Sequence, residues 1–75
     1  MTLSNRTTDE LVRIASTGGG FRLDTSGRQT EDLIRIATAA RTNNATVIFA
    51  GMGMRSTDDL IKIGEAGKGC VIFED

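Results

Sequence analysis

Histidine, tyrosine and tryptophan are missing from this 75-residue chain, and cysteine occurs once. Without histidine the usual zinc-ligand sets are incomplete. The residue most often used for proton transfer is also gone. The lone Cys70 excludes an intramolecular disulfide. Neither sign of charge is in excess: nine basic against ten acidic residues leave a net charge of −1, so bulk charge attracts neither nucleic acid nor a membrane surface. No apolar run is long enough to span a bilayer, and the opening MTLSNRTTDE is polar from its first residues, unlike a signal peptide. The expectation is one small domain over residues 1–75, soluble and in a reducing, cytoplasmic compartment, with no enzymatic activity, no cofactor and no metal. At this length a single core supplies only about 3–5 kcal/mol of net stability.

What the chain does have is a phrase said three times: TTDELVRI (7–14), QTEDLIRI (29–36) and STDDLIKI (56–63). Leu11, Leu33 and Leu60 hold the same place in each, 22 and then 27 residues apart. A period in this range marks one supersecondary unit per repeat, each unable to bury its apolar face alone. The three units run over about 6–24, 28–50 and 55–74.

Each unit begins as a helix. Thr8, Thr30 and Thr57 suit the N-cap, where a hydroxyl oxygen accepts an orphaned backbone N–H. A capping box from Thr7 to Glu10, or from Ser56 to Asp59, is the alternative one residue earlier. The acids in the first turn match the helix dipole. Apolar residues follow at helical spacing: Leu11, Ile14 and Ala15; Leu33, Ile36, Ala37 and Ala40; Leu60, Ile63, Gly64 and Gly67. The stripe turns from large to small along each helix, so the C-terminal ends can approach another layer closely. Val12, Ile34 and Ile61 widen it toward adjacent helices. Helices one and three stop at GGG (18–20) and GKG (67–69), and Asn43–Asn44 stops a longer helix two.

A short strand-like run follows each stop: FRLD (21–24), ATVIFA (45–50) and CVIFE (70–74). The chain therefore reads αβαβαβ, a small three-stranded parallel sheet with right-handed crossovers and helices mainly on one face. The uniformly apolar middle strand favours the order 1-2-3; order 2-1-3 would instead open a ligand crevice at the switch point. With Phe21, Leu23, Val47, Phe49, Cys70 and Ile72 inward, the outward set is Arg22, Thr46, Ile48, Val71 and Phe73. A one-residue slip would exchange these faces. An exposed Ile48–Val71–Phe73 cluster and two unpaired sheet edges call for self-association, face to face or edge to edge, in a homodimer or with another protein.

The loop GMGMRST (51–57) is the second candidate site. It leaves a strand and opens a helix, the place where backbone N–H groups cradle a phosphate. Gly51, Gly53, Ser56 and Thr57 would form the cradle, with Arg55 and Arg28 adding charge. The loop lacks the third glycine of the dinucleotide fingerprint and the Lys-Ser/Thr of a Walker A motif. Two acids also follow the cap, which favours an ordinary βα turn. GGG (18–20) lies after its helix, where carbonyls make the potential negative, and reads as a C-cap. Arg6, Arg28 and Arg55 recur before the caps and would align along one sheet edge, paired locally with nearby acids. Arg13, Arg35 and Lys62 face solvent in mid-helix. Cys70 reads as packing, Met52 and Met54 as adaptable loop contacts, and Glu74–Asp75 as a guard against further strand addition. The leucine-rich pattern L-x-x-L-x-L-x-x-N is nowhere in the chain, and the ankyrin and tetratricopeptide signatures are absent too.

Overall fold

A computed structural model of the chain describes residues 3–75. A 3-10 turn at Leu3–Asn5 leads into α1 (Thr8–Ser16), β1 (Phe21–Asp24), α2 (Thr30–Thr42), β2 (Val47–Ala50), α3 (Thr57–Gly67) and β3 (Val71–Phe73). The strands form one parallel sheet in the order β1-β2-β3. The helices cover one face of it, α1 beside α2 and α2 beside α3. The order 2-1-3, with its crevice, is not adopted. No helix of the described residues is long and apolar enough to cross a membrane.

The helices start in the earlier of the two registers. Thr7, Gln29 and Ser56 are the caps, and Thr8, Thr30 and Thr57 are first helical residues. Thr7 forms a full capping box: the Glu10 N–H donates to Thr7 Oγ1 at 3.2 Å, and the Thr7 N–H donates to Glu10 Oε1 at 3.0 Å. Ser56 Oγ accepts from the Asp59 N–H at 3.2 Å, whereas Gln29 makes no side-chain cap bond. The register matters because it frees the Thr8 and Thr30 hydroxyls for other partners.

The core lies between helices and sheet. Leu11, Ala15, Leu33, Ile36, Ala37, Ala40 and Ile63 meet Leu23, Val47 and Phe49, all buried. Left-handed residues end the helices: Gly18 after α1, Asn44 after α2, and Lys68 with Gly69 after α3. The α3 cap is thus Lys68, while Gly67 stays helical and buried. The uneven repeat spacing has two sources. Most of it is the longer α2. The remainder is Gly51, which stands between Ala50 and Met52 where unit one passes directly from Asp24 to Thr25. Gly51 holds a φ of 76°, a conformation that suits glycine.

One strand is turned over relative to the sequence reading. Phe21, Val47 and Val71 are paired across the sheet, and so are Leu23, Phe49 and Phe73. Val47 and Phe49 are buried against the helices, so Val71 and Phe73 share the helix face and Ile72 takes the open one. The strand starts at Val71, not at Cys70, and that single residue exchanges its faces. Two glycines of α3 make the room. A Cβ on Gly67 would lie 2.3 Å from Val71 Cγ2, and one on Gly64 would lie 3.8 Å from the Phe73 ring. Cys70 precedes the strand, half-buried against the core.

The open face therefore carries the row Arg22, Ile48, Ile72. It is also partly strapped. Arg22 reaches across β2 to Glu74, with Nε and Nη2 donating to Oε1 at 3.1 and 3.0 Å. Ile48, in the middle of this row, is half-buried, and Ile72 is exposed.

Candidate functional site

The three turns that enter the helices are built alike. The backbone N–H groups of Arg6, Arg28 and Arg55 donate to the carbonyls of Leu3, Thr25 and Met52 at 3.0, 3.0 and 3.1 Å. The turns stack through buried side chains. Thr25 is fully buried, donates its hydroxyl to the Ala50 carbonyl at 2.8 Å and lies 3.1 Å from the Met52 sulfur. Met52 is thus part of the core although it sits in a loop, whereas Met54 is 97% exposed.

The arginines tie each turn to the one before. Arg28 Nη2 donates to the Arg6 carbonyl at 2.6 Å, and Nη1 to Thr8 Oγ1 at 3.3 Å. Arg55 repeats this one unit later, to the Arg28 carbonyl at 2.6 Å and Thr30 Oγ1 at 3.2 Å, and adds the Thr25 carbonyl at 2.9 Å. The planar guanidinium suits this because its fixed fork meets two or three acceptors at once. Thr30 Oγ1 also donates to Asp59 Oδ2 at 3.2 Å. Arg55 Nε alone among the buried side-chain nitrogens and oxygens described has no partner. Local pairing, expected for all three arginines, holds for Arg6, which lies 3.6 Å from Glu10. Arg28 and Arg55 are the mortar between units. A similar tie runs over the helices, where Arg35 Nη2 donates to Asp9 Oδ1 at 2.6 Å.

This network decides the character of the Gly51–Thr57 loop. The guanidiniums of Arg55 and Arg28 are bonded to neutral oxygens of the chain, and Ser56 Oγ already accepts a helix N–H. Carboxylates crowd both glycines: a Cβ on Gly51 would lie 3.0 Å from Asp24 Oδ1, and one on Gly53 would lie 3.5 Å from Asp75 Oδ1. Thr57 is exposed, and Asp58 and Asp59 follow it. These Arg55, Arg28 and Ser56 contacts are thus made within the chain, and carboxylates border both glycines. Two carboxylates at the helix-entry end, Glu10 and Asp24, are held below their ordinary pKa values. Glu10 is lowered first by the Thr7 N–H, with the Thr7 hydroxyl and Arg6 adding to it. Asp24 is lowered by the Ser26 N–H, which donates to it at 3.0 Å.

The apolar candidate surface lies at the β3/α3 end. Of the expected trio, Ile48 is on the open face; Val71 and Phe73 lie on the helix side. Even so, Phe73 remains 38% exposed, because α3 is the outermost helix on that side and no further helix of the described residues covers its far flank. Ile61 on α3 is 52% exposed and Ile72 is 48% exposed. These three surround the outer margin of β3. Ile61 and Ile72 belong to the site and were absent from the outward set. The signal for Ile72 was the run of small residues Gly64 and Gly67, which implies large side chains descending on α3 from the strand.

Comparison with protein families, with curated proteins and with solved structures finds no match to this chain. The reading of its function therefore rests on the arrangement of its own residues.

Proposed function

We propose that the protein is a non-catalytic interaction module that self-associates through the β3/α3 margin of its sheet. One observation carries this reading. Residues equivalent in the repeat are covered inside the chain and uncovered at this end: Phe49 is buried where Phe73 is not, and Ile48 and Ile34 are half-buried where Ile72 and Ile61 are exposed. A parallel strand with an unpaired edge beside an apolar patch is a template for another strand. A small core also gains stability when such surface is buried by association.

The chain's mass in solution over a concentration series tests this, using sedimentation equilibrium with interference optics because the chain lacks Trp and Tyr. Association that weakens at least tenfold in the Ile61→Lys/Ile72→Lys double variant is the expected result. Both side chains are exposed, so the variant keeps its circular dichroism spectrum. A wild-type monomer at every concentration would falsify the reading.

A further inference from the structure

The two ends of the molecule are cut faces of the same internal joint. At both internal joints an arginine of the later unit meets a carbonyl and a threonine hydroxyl of the earlier one, and at the first joint a second arginine meets an acid. Arg28 meets the Arg6 carbonyl and Thr8 Oγ1, Arg55 meets the Arg28 carbonyl and Thr30 Oγ1, and Arg35 meets Asp9. The equivalents of Arg28 and Arg35 in unit one are Arg6 and Arg13. With Glu10, Ile14 and Thr17 they line an open groove along the outer flank of α1. The equivalents of the Arg28 carbonyl, Thr30 and Glu31 in unit three are the Arg55 carbonyl, Thr57 and Asp58. In this chain no guanidinium reaches them among the described residues, and Thr57 and Asp58 are exposed.

Burial follows the same logic. Ile36 and Ile63 are fully buried under the preceding helix, whereas their equivalent Ile14 is only half-buried. At the opposite end Ile61 is exposed where Val12 and Ile34 are half-covered by the following helix. Cations and a partly open isoleucine at one end thus face acceptors, an acid and an open isoleucine at the other.

Resting on the self-association proposed above, we infer that the occupant of the β3/α3 margin is the α1/β1 end of a second copy. The second copy stacks as a fourth unit: its β1 lies parallel to β3, its Arg6 donates to the Arg55 carbonyl and Thr57 Oγ1, and its Arg13 meets Asp58. The exposed Arg6–Glu10 contact is a weak one that Arg6 can exchange. The joint is heterologous, so each added copy leaves a free end of each kind and growth continues unless the per-copy rotation closes a ring.

Charge reversal of one contact tests the geometry. Arg13→Glu places two acids at the joint and Asp58→Arg places two bases there, while a mixture of the two variants restores opposite charges at every joint. The expected wild-type mass by sedimentation equilibrium rises past two copies with concentration. Each variant alone stays monomeric, and the equimolar mixture regains the rising mass, which a misfolded variant would not do. A wild-type mass that stops at two copies, unchanged in both variants, overturns the stacking and leaves self-association through a closed β3–β3 pairing. A monomer throughout overturns both, and variants that lose mass without recovering it on mixing overturn the Arg13–Asp58 joint.

Discussion

The two rims of the sheet are built on different plans. Where the chain enters its helices, all three turns have the same hydrogen bond, and two arginines repeat the same reach to the preceding turn. From the turn residue to the core leucine the distance is constant, Leu3 to Leu11, Thr25 to Leu33 and Met52 to Leu60. Where helices pass into strands, only the three-residue step from the left-handed residue to the strand is constant. The left-handed residue is Gly18, Asn44 or Lys68, and the helices differ in length. The contrast teaches where the units are registered against each other. Backbone carbonyls of one turn are the acceptors for the next, so the stretch from turn residue to core leucine keeps its length, and the one extra residue of this rim, Gly51, falls before it. The second rim only has to return the chain to the sheet.

The largest break of this contrast is Arg55→Ala. It removes three hydrogen bonds from a charged donor, including those that satisfy the Thr25 and Arg28 carbonyls, and costs about 2–3 kcal/mol. Against a total of about 3–5 kcal/mol this leaves about 0–3 kcal/mol, so a measurable fraction of the molecules is unfolded at 37 °C. Arg55→Lys keeps the charge without the planar fork and falls between the two. Urea titration followed by far-ultraviolet circular dichroism reads both, and an Arg55→Ala midpoint equal to wild type would remove the ladder as the registering device.

Two glycines at the variable rim respond with opposite signs. Gly67→Ala drives a methyl into Val71 at 2.3 Å and costs about 1–2 kcal/mol despite its helix propensity. Gly64→Ala meets only the Phe73 ring at ordinary contact distance and gains about 0.5–1 kcal/mol. Equal shifts in both variants would show that β3 does not press on α3.

Smaller changes sharpen the comparison at the helix ends. Lys68→Gly relieves a non-glycine residue at φ 42° and raises stability by about 0.5–1 kcal/mol. Gln29→Ser supplies the cap that α2 lacks, for about 0.5–1 kcal/mol. Thermal midpoints of each single variant check the two signs.

The last effect is on pH. Glu10 and Asp24 are depressed below ordinary values of 4.5 and 3.8 in the folded chain. Their contribution is complete above those unfolded values and is lost as pH falls through the lower folded ones. Thermal midpoints should therefore drop on acidification below about pH 4.5, and Glu10→Gln should flatten part of that drop. A wild-type and a Glu10→Gln curve that run parallel would show that the charge of Glu10 adds nothing to the capping box.

Much of this architecture was legible in the residues. The phrase around Leu11, Leu33 and Leu60 set the order of elements, and the all-apolar VIFA placed β2 in the middle. The arginine ladder was half legible. Its recurrence was plain, but a guanidinium that bonds a carbonyl a whole unit earlier leaves no mark in local sequence, where the nearest acids look like its partners. The cap register was open because adjacent hydroxyls, Thr7 and Thr8, or Ser56 and Thr57, suit the role equally. The face of β3 was misread because CVIF is apolar throughout, so alternation carries no phase. Only Gly64 and Gly67, by leaving room, disclose which side chains descend.

The neighbour-by-neighbour joints give the molecule a mechanical grain. Helix packs on the next helix and strand on the next strand, with Arg28 and Arg35 crossing the first joint and Arg55 crossing the second. A pull along the stacking direction loads these joints in series, as links of a chain. The load is carried equally by both, and extension begins at the weaker one while the other keeps its length. A pull across the stack, along the strands, shears every rung together.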